Sequence, residues 1–300
     1  MHMNRIRTAA LPSVVVLATV VMAVQSADAV DLPDSPDGTV RAVMQSLADR
    51  HPEVLWQALP GSYQRDITEL THAFADRMDP EIWQTAFRLG NKAVGVLRDK
   101  KRYILDSSLM TVSGDRRAEV ESNWDTVVAA LDSLFSSEIS DLEGLEHIDW
   151  DRFLRTTGAE IMNRALDLSA AASDEEVNED VIAKLRQATV DLVSRDDDHA
   201  TVRISAPGEE PEDVPLTLVG GRWVPTDMAE DWDSHVAEAR QEIAGLSEEE
   251  MANNKMQVMA FFGMAEAVLD RLAAVNSTEE FEQAIQSISS SFTGTGGGSE

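Results

Sequence analysis

The residues best suited to chemistry in this chain are two histidines that stand among acids. His147 precedes Asp149 and Asp151, and His235 follows Asp231 and Asp233. An imidazole beside carboxylates can relay a proton or share a divalent metal. Both groups also fall at expected helix starts, where acids complement the helix dipole, and that plainer role is the one expected of them. No two histidines have the spacing of a helical zinc site, and no H-E-x-x-H occurs.

Carboxylates cluster twice more, at Asp196-Asp197-Asp198 and in the trio Asp31, Asp34 and Asp37. A helix-loop-helix calcium site needs ligands at alternate positions, a central glycine and a late glutamate, and neither cluster has them. The chain also lacks a G-x-S-x-G elbow, a P-loop, a dinucleotide fingerprint and any cysteine. No catalytic or cofactor-binding residue is therefore assigned, no cofactor is expected, and metal ligands are left undetermined. Met251, Met256, Met259 and Met264 recur at helical spacing. A core-facing stripe is expected of them, with an adaptable partner surface as the alternative. Asn276-Ser277-Thr278 fits a glycosylation sequon, but the same residues also fit a helix cap.

The elements that must position these residues are mostly helices. Ser35-Pro36 reads as an N-cap followed by proline at the first helical position, and Val40, Val43, Met44 and Leu47 give that helix an apolar face. Tyr63, Ile67, Leu70, Phe74 and Met78 mark a second amphipathic helix. Asp79-Pro80 caps a third, carrying Trp83, Phe87, Val94 and Leu97. Arg98, Lys100, Lys101 and Arg102 near its end suit the helix dipole better than a phosphate or lipid site. Val120 to Leu134 form a fourth, and Asp149 caps a helix whose face is Trp150, Phe153, Leu154, Ile161, Ala165 and Leu168. Ser173–Asp180 reads as a linker or exposed loop.

The period then drops to two. Val190 and Leu192, then Val202 and Ile204, then Val214–Val219 and Arg222–Val224 spell four strands, with Gly220-Gly221 as a two-residue hairpin turn. Three helices close the chain, two of them opening with the capping boxes Ser247-x-x-Glu250 and Ser277-x-x-Glu280.

The N-terminus supplies an address. Arg5 and Arg7, the apolar run Val14–Val24 and Ala27-Asp28-Ala29 follow the order of a secretory signal peptide. Cleavage is expected after Ala29, with the mature chain beginning at Val30. The apolar stretch is shorter than the roughly 20 residues of a membrane span, so an uncleaved anchor is the weaker alternative. The net charge is −29, and arginine far outnumbers lysine. Such a surface repels nucleic acid and anionic lipid, and neither is an expected partner. The acids are spread along the chain, as adaptation to a salty medium predicts. A surface for cations or a basic partner is the alternative.

Two pieces of the chain resemble a known pattern. Pro36–Tyr63 (PDGTVRAVMQSLADRHPEVLWQALPGSY) resembles the first helices of small exported proteins with the NTF2-like, or cystatin-like, fold. The hairpin HATVRISA…VPLTLVGGRWVP resembles their closing strands, which end in a G-x-W turn. Several helices separate the two pieces and three follow them, so the resemblance does not extend to that family's cone-shaped pocket, and no catalytic residue is carried over. The mature chain as a whole is similar to a group of uncharacterised bacterial secreted proteins, which implies no activity.

Together these readings predict an α+β protein, predominantly helical, with a four-stranded antiparallel meander at about residues 187–225. The expected organisation is a signal peptide at 1–29, one helical α+β domain at 30–293 and a disordered tail at 294–300. An internal boundary, if there is one, is expected near 173–182. The expected function is a non-catalytic binding or interaction module of the bacterial cell envelope, periplasmic or secreted, with an envelope protein or small ligand as partner and no transmembrane segment after cleavage. The alternatives are an enzyme whose site assembles from separated residues and an acidic, cation-responsive envelope protein.

Overall fold

The computed structural model describes residues 32–109, 115–171, 181–246 and 248–293. The signal-like segment 1–29, the Ser173–Asp180 linker, Ser247 and the tail 294–300 lie outside the described residues. The longer helices are α1 (Pro36–Ala48), α2 (Gly61–Arg77), α3 (Pro80–Asp99), α4 (Asp115–Phe135), α5 (Ala159–Ala171), α6 (Thr226–Ala244), α7 (Glu248–Ala274) and α8 (Thr278–Thr293). Strands β1 (Thr189–Arg195), β2 (His199–Ser205), β3 (Glu212–Val219) and β4 (Arg222–Pro225) form one sheet. The protein is thus α+β and predominantly helical, as its periodicity predicts. The chain divides into two compact units. The first takes the residues up to Ile67, then Asp149–Ala159 and Ala188–Ala229. The second takes Thr68–Ile148, Glu160–Gln187 and the residues from Glu230 on.

In the first unit the sheet is an antiparallel meander in the order β1-β2-β3-β4. Gly220 and Gly221 have φ of 55° and 82°, the left-handed conformations that a tight primed hairpin requires. They place Val219 opposite Arg222 and Leu218 opposite Trp223. Alternation then sends Val190, Ala200, Val202, Leu216 and Trp223 to one buried face, against which Val40 and Met44 of α1 pack. Ser35 caps α1 by accepting from the Gly38 N–H at 3.1 Å. Arg41 on the same helix donates to the Val190 carbonyl at 2.7 Å and so occupies a backbone acceptor of edge strand β1. The buried Trp223 indole donates to the Asp34 carbonyl at 2.9 Å, and the Arg195 guanidinium lies 5.2 Å from its ring centre. Leu192, expected on the apolar face, is exposed. It stands in register opposite buried Val202, and the register shifts just beyond it, between Leu192 and Ser194.

One expected helix is interrupted. Asp149 does cap it, accepting from the N–H groups of Asp151 at 3.0 Å and Arg152 at 3.2 Å. The α-helix lasts only from Trp150 to Phe153, and Leu154–Gly158 form a π-turn before α5 begins. The Thr156 hydroxyl donates to the Arg152 carbonyl at 2.7 Å, a bond that competes with regular helix. A Cβ on Gly158 would lie 2.5 Å from the fully buried Leu154 side chain, so this close turn needs glycine.

The second unit is built around α3. Helix α4 runs antiparallel to it: Asn91 donates to the Phe135 carbonyl at 2.9 Å, and the Trp124 indole to the Leu97 carbonyl at 3.0 Å. Gly90 allows that approach, because a Cβ there would meet the Phe135 ring at 2.2 Å. Helix α7 runs parallel to α3. Lys255 pairs with Asp79 and Glu81, Arg88 and Lys92 pair with Glu266, and Lys100 donates to the Val275 carbonyl. The constant offset along both chains is what two parallel helices in register produce. Phe74, Trp83, Phe87 and Phe135 pack in sequence through edge and tilted ring contacts. Helix α8 starts at the expected cap, Ser277 accepting from the Glu280 N–H at 3.1 Å.

Candidate functional site

The two histidine–acid groups resolve into separate roles. His147 is exposed, and its backbone N–H closes the short helix Leu142–Glu146 on the Glu143 carbonyl. Asp149 spends its carboxylate on the helix cap described above. His235, Asp231 and Asp233 are all exposed on α6. Asp196 accepts the His199 N–H at 2.9 Å and so shapes the β1–β2 turn. Asp37 pairs with Arg41 one helical turn away. Among the described residues no group of three or more His, Cys, Asp or Glu side chains is placed to hold a metal ion.

Asp151 is the unexpected residue. Its side chain is 0% exposed. One carboxylate oxygen accepts from Arg155 at 2.9 Å, one helical turn on, and the other has no hydrogen-bond partner. Burial holds the carboxyl above the usual carboxylate range; Arg155 pulls the other way, and the charges of Asp149 and Glu53 push it further up. Glu53 is itself buried, 3.1 Å from His51 Nδ1. The indole N–H groups of Trp56 and Trp150 in this unit also lack partners. The sequence shows Asp151 as one more acid at a helix start. Only the folded structure shows it out of water, in a segment where Trp150, Phe153 and Leu154 are buried too.

A shallow cleft of about 300 Å³ lies in the second unit, lined by Glu69, Leu70, Ala73, Arg77, Arg240, Ile243 and Ala244. It sits at the small end of ligand sites. Its floor is aliphatic, and Arg240 reaches across it to Glu69 at 3.3 Å. No histidine, hydroxyl or thiol lines it, so the lining offers an ion pair rather than a nucleophile and base.

The outward face of α7 is the most distinctive surface. Met256, Phe261 and Met264 are 82%, 57% and 52% exposed. This corrects the core expectation for the methionine run: Met259 is half-buried, while Met256 and Met264 point away from α3. Met251 has no described side chain. Lys255 and Glu266 pair with residues of α3 and its cap, so the side of α7 turned to α3 is theirs and not that of Met256 and Met264. Between Met256 and Ala267 the exposed side chains are Met256, Gln257, Ala260, Phe261, Met264 and Ala267, none of them charged. A Cβ built on Gly263 meets nothing within 4 Å, so the surface there is open. Single exposed apolar residues are ordinary, whereas here several recur along one helix. Among the described residues no helix is long and apolar enough to cross a membrane, so this stripe is not a span. Comparison with protein-family models, curated proteins and solved structures finds no match for the chain.

Proposed function

We propose that this protein is an exported, non-catalytic interaction module of the bacterial cell envelope that binds a protein partner through the outward face of α7. The observation that carries the reading is the uncharged apolar stripe Met256–Ala267 on a chain of net charge −29. Acidic side chains elsewhere keep the molecule soluble and repel anionic lipid and nucleic acid. Methionine suits the surface, because its unbranched, polarisable side chain adapts to a partner's contour. The address rests on the basic, apolar and small-residue order of residues 5–29.

The test is capture from an envelope extract of the native host, using the purified protein and a Met256→Asp/Met264→Asp variant. Both sites are exposed, so the variant should keep its circular dichroism and melting temperature. Binding of the captured protein should fall at least tenfold. Capture that survives the two aspartates would remove α7 from the interaction.

A further inference from the structure

We infer that the Ala29–Val30 bond is open to hydrolysis only while the chain is unfolded, so that export and processing precede folding. This rests on the secretory address proposed above for residues 5–29. What carries it is the seat of the residues just beyond the bond. Leu32 is a core side chain, 6% exposed, and only Val30 and Asp31 separate it from the bond. The Pro33 carbonyl accepts from the buried Thr39 hydroxyl at 2.8 Å. The Asp34 carbonyl accepts from the Trp223 indole, a contact that spans 189 residues of sequence. Ser35 accepts from the Gly38 N–H as the cap of α1. Gly38 lets this strap lie close, since a Cβ there would stand 2.8 Å from Pro33 and 2.5 Å from the Ser35 hydroxyl. Residues 32–35 are thus buried or bonded one after another, to α1 and to β4, within the first unit.

A protease takes the peptide on both sides of its target bond as an extended strand, so the bond must stand clear of folded structure. Val30 and Asp31 together span about 7 Å at most, at roughly 3.5 Å per residue. A folded unit held that near the bond collides with the walls of the cleft. Freeing more chain means drawing Leu32 out of the core and breaking the bonds to Thr39 and Trp223, which is a local unfolding of the sheet-containing unit. In the unfolded chain none of these contacts exists. Trp223 comes from β4, so the seat forms only after three-quarters of the chain has reached the same compartment as Leu32. The N-terminus agrees. Arg5 and Arg7 are separated by Ile6, so residues 1–29 lack the adjacent arginines of the twin-arginine signals that carry folded cargo. The step is a hydrolysis: water adds across the amide, leaving a carboxylate on Ala29 and an ammonium on Val30. A membrane-bound signal peptidase supplies the catalysis, and water is the sole co-reactant.

The test uses the full precursor, residues 1–300, in detergent with a purified bacterial signal peptidase. Precursor diluted from urea straight into the peptidase should be cut between Ala29 and Val30, as read by intact mass. Precursor refolded first, with its circular dichroism restored, should be cut at least tenfold more slowly. A Gly-Ser spacer of about six residues, inserted between Asp31 and Leu32, adds about 20 Å of reach and leaves the seat untouched. The refolded spacer precursor should regain most of the lost rate. Equal rates before and after refolding would overturn the inference and leave the signal peptide standing, and a spacer that restores nothing would do the same. If no arm is cut at the Ala29–Val30 bond, the secretory reading falls and the inference falls with it.

Discussion

The sheet-containing unit hides a carboxylate, whereas the helical unit displays apolar side chains. Asp151 is wholly out of water with one guanidinium partner and one unpartnered oxygen. Met256, Phe261 and Met264 are exposed, Met256 most of all. Both arrangements break the usual sorting of polar and apolar groups, but they call for different remedies. A buried charge is offset within its own unit, by Arg155 and by a carboxyl held above its ordinary range. The exposed apolar stripe has no such partner within the described residues of its own unit. The contrast separates a buried polar group from an exposed apolar one.

Three substitutions sharpen that contrast. The largest effect belongs to the interior of the sheet. Trp223→Ala should cost roughly 3–5 kcal/mol in urea or thermal unfolding, because the ring is buried under α1 and its indole bond to Asp34 is lost. A loss below about 1 kcal/mol would show that the covered face contributes no more than a surface site does.

The second substitution is Asp151→Asn, read as a function of pH. The folded carboxyl titrates above the unfolded one. Its stabilising contribution is therefore complete below the ordinary aspartate range and is lost as pH rises through the raised folded value. The wild type should lose stability relative to the asparagine variant as pH rises above the ordinary aspartate range, in melting curves of both proteins. A difference between the two that does not vary with pH would mean that Asp151 is not penalised by burial.

The smallest effect is expected on α7. Met256→Ala should change unfolding free energy by no more than about 0.5 kcal/mol, since the side chain is 82% exposed. A loss near that of a core methionine, about 2 kcal/mol or more, would place Met256 under some part of its own chain.

Much of the architecture was legible before any coordinates. Ser35-Pro36, Asp79-Pro80 and Ser277 signal helix starts by local chemistry, since a short oxygen side chain satisfies orphan N–H groups within its own turn. Gly220-Gly221 announces a hairpin, because two successive left-handed residues suit little else. The π-turn at Leu154–Gly158 was not legible. Leu154 and Ile161 stand seven residues apart, a spacing that an unbroken α-helix also gives. The buried state of Asp151 was equally hidden, because an aspartate at the second position of a capped helix is ordinary on the surface.

The methionine stripe draws the line most plainly. Helical spacing alone determined that Met256, Ala260, Phe261 and Met264 share one side of α7, since 3.6 residues per turn is a property of the backbone. Spacing assigns residues to faces but does not say which face meets the rest of the molecule. The side turned to α3 carries Lys255 and Glu266, whose partners Asp79, Glu81, Arg88 and Lys92 lie more than 170 residues away in sequence. Contacts at such separation exist only after the chain has folded. The sequence by itself determined the helices, the strands and their faces, and the tertiary structure decided which faces were covered.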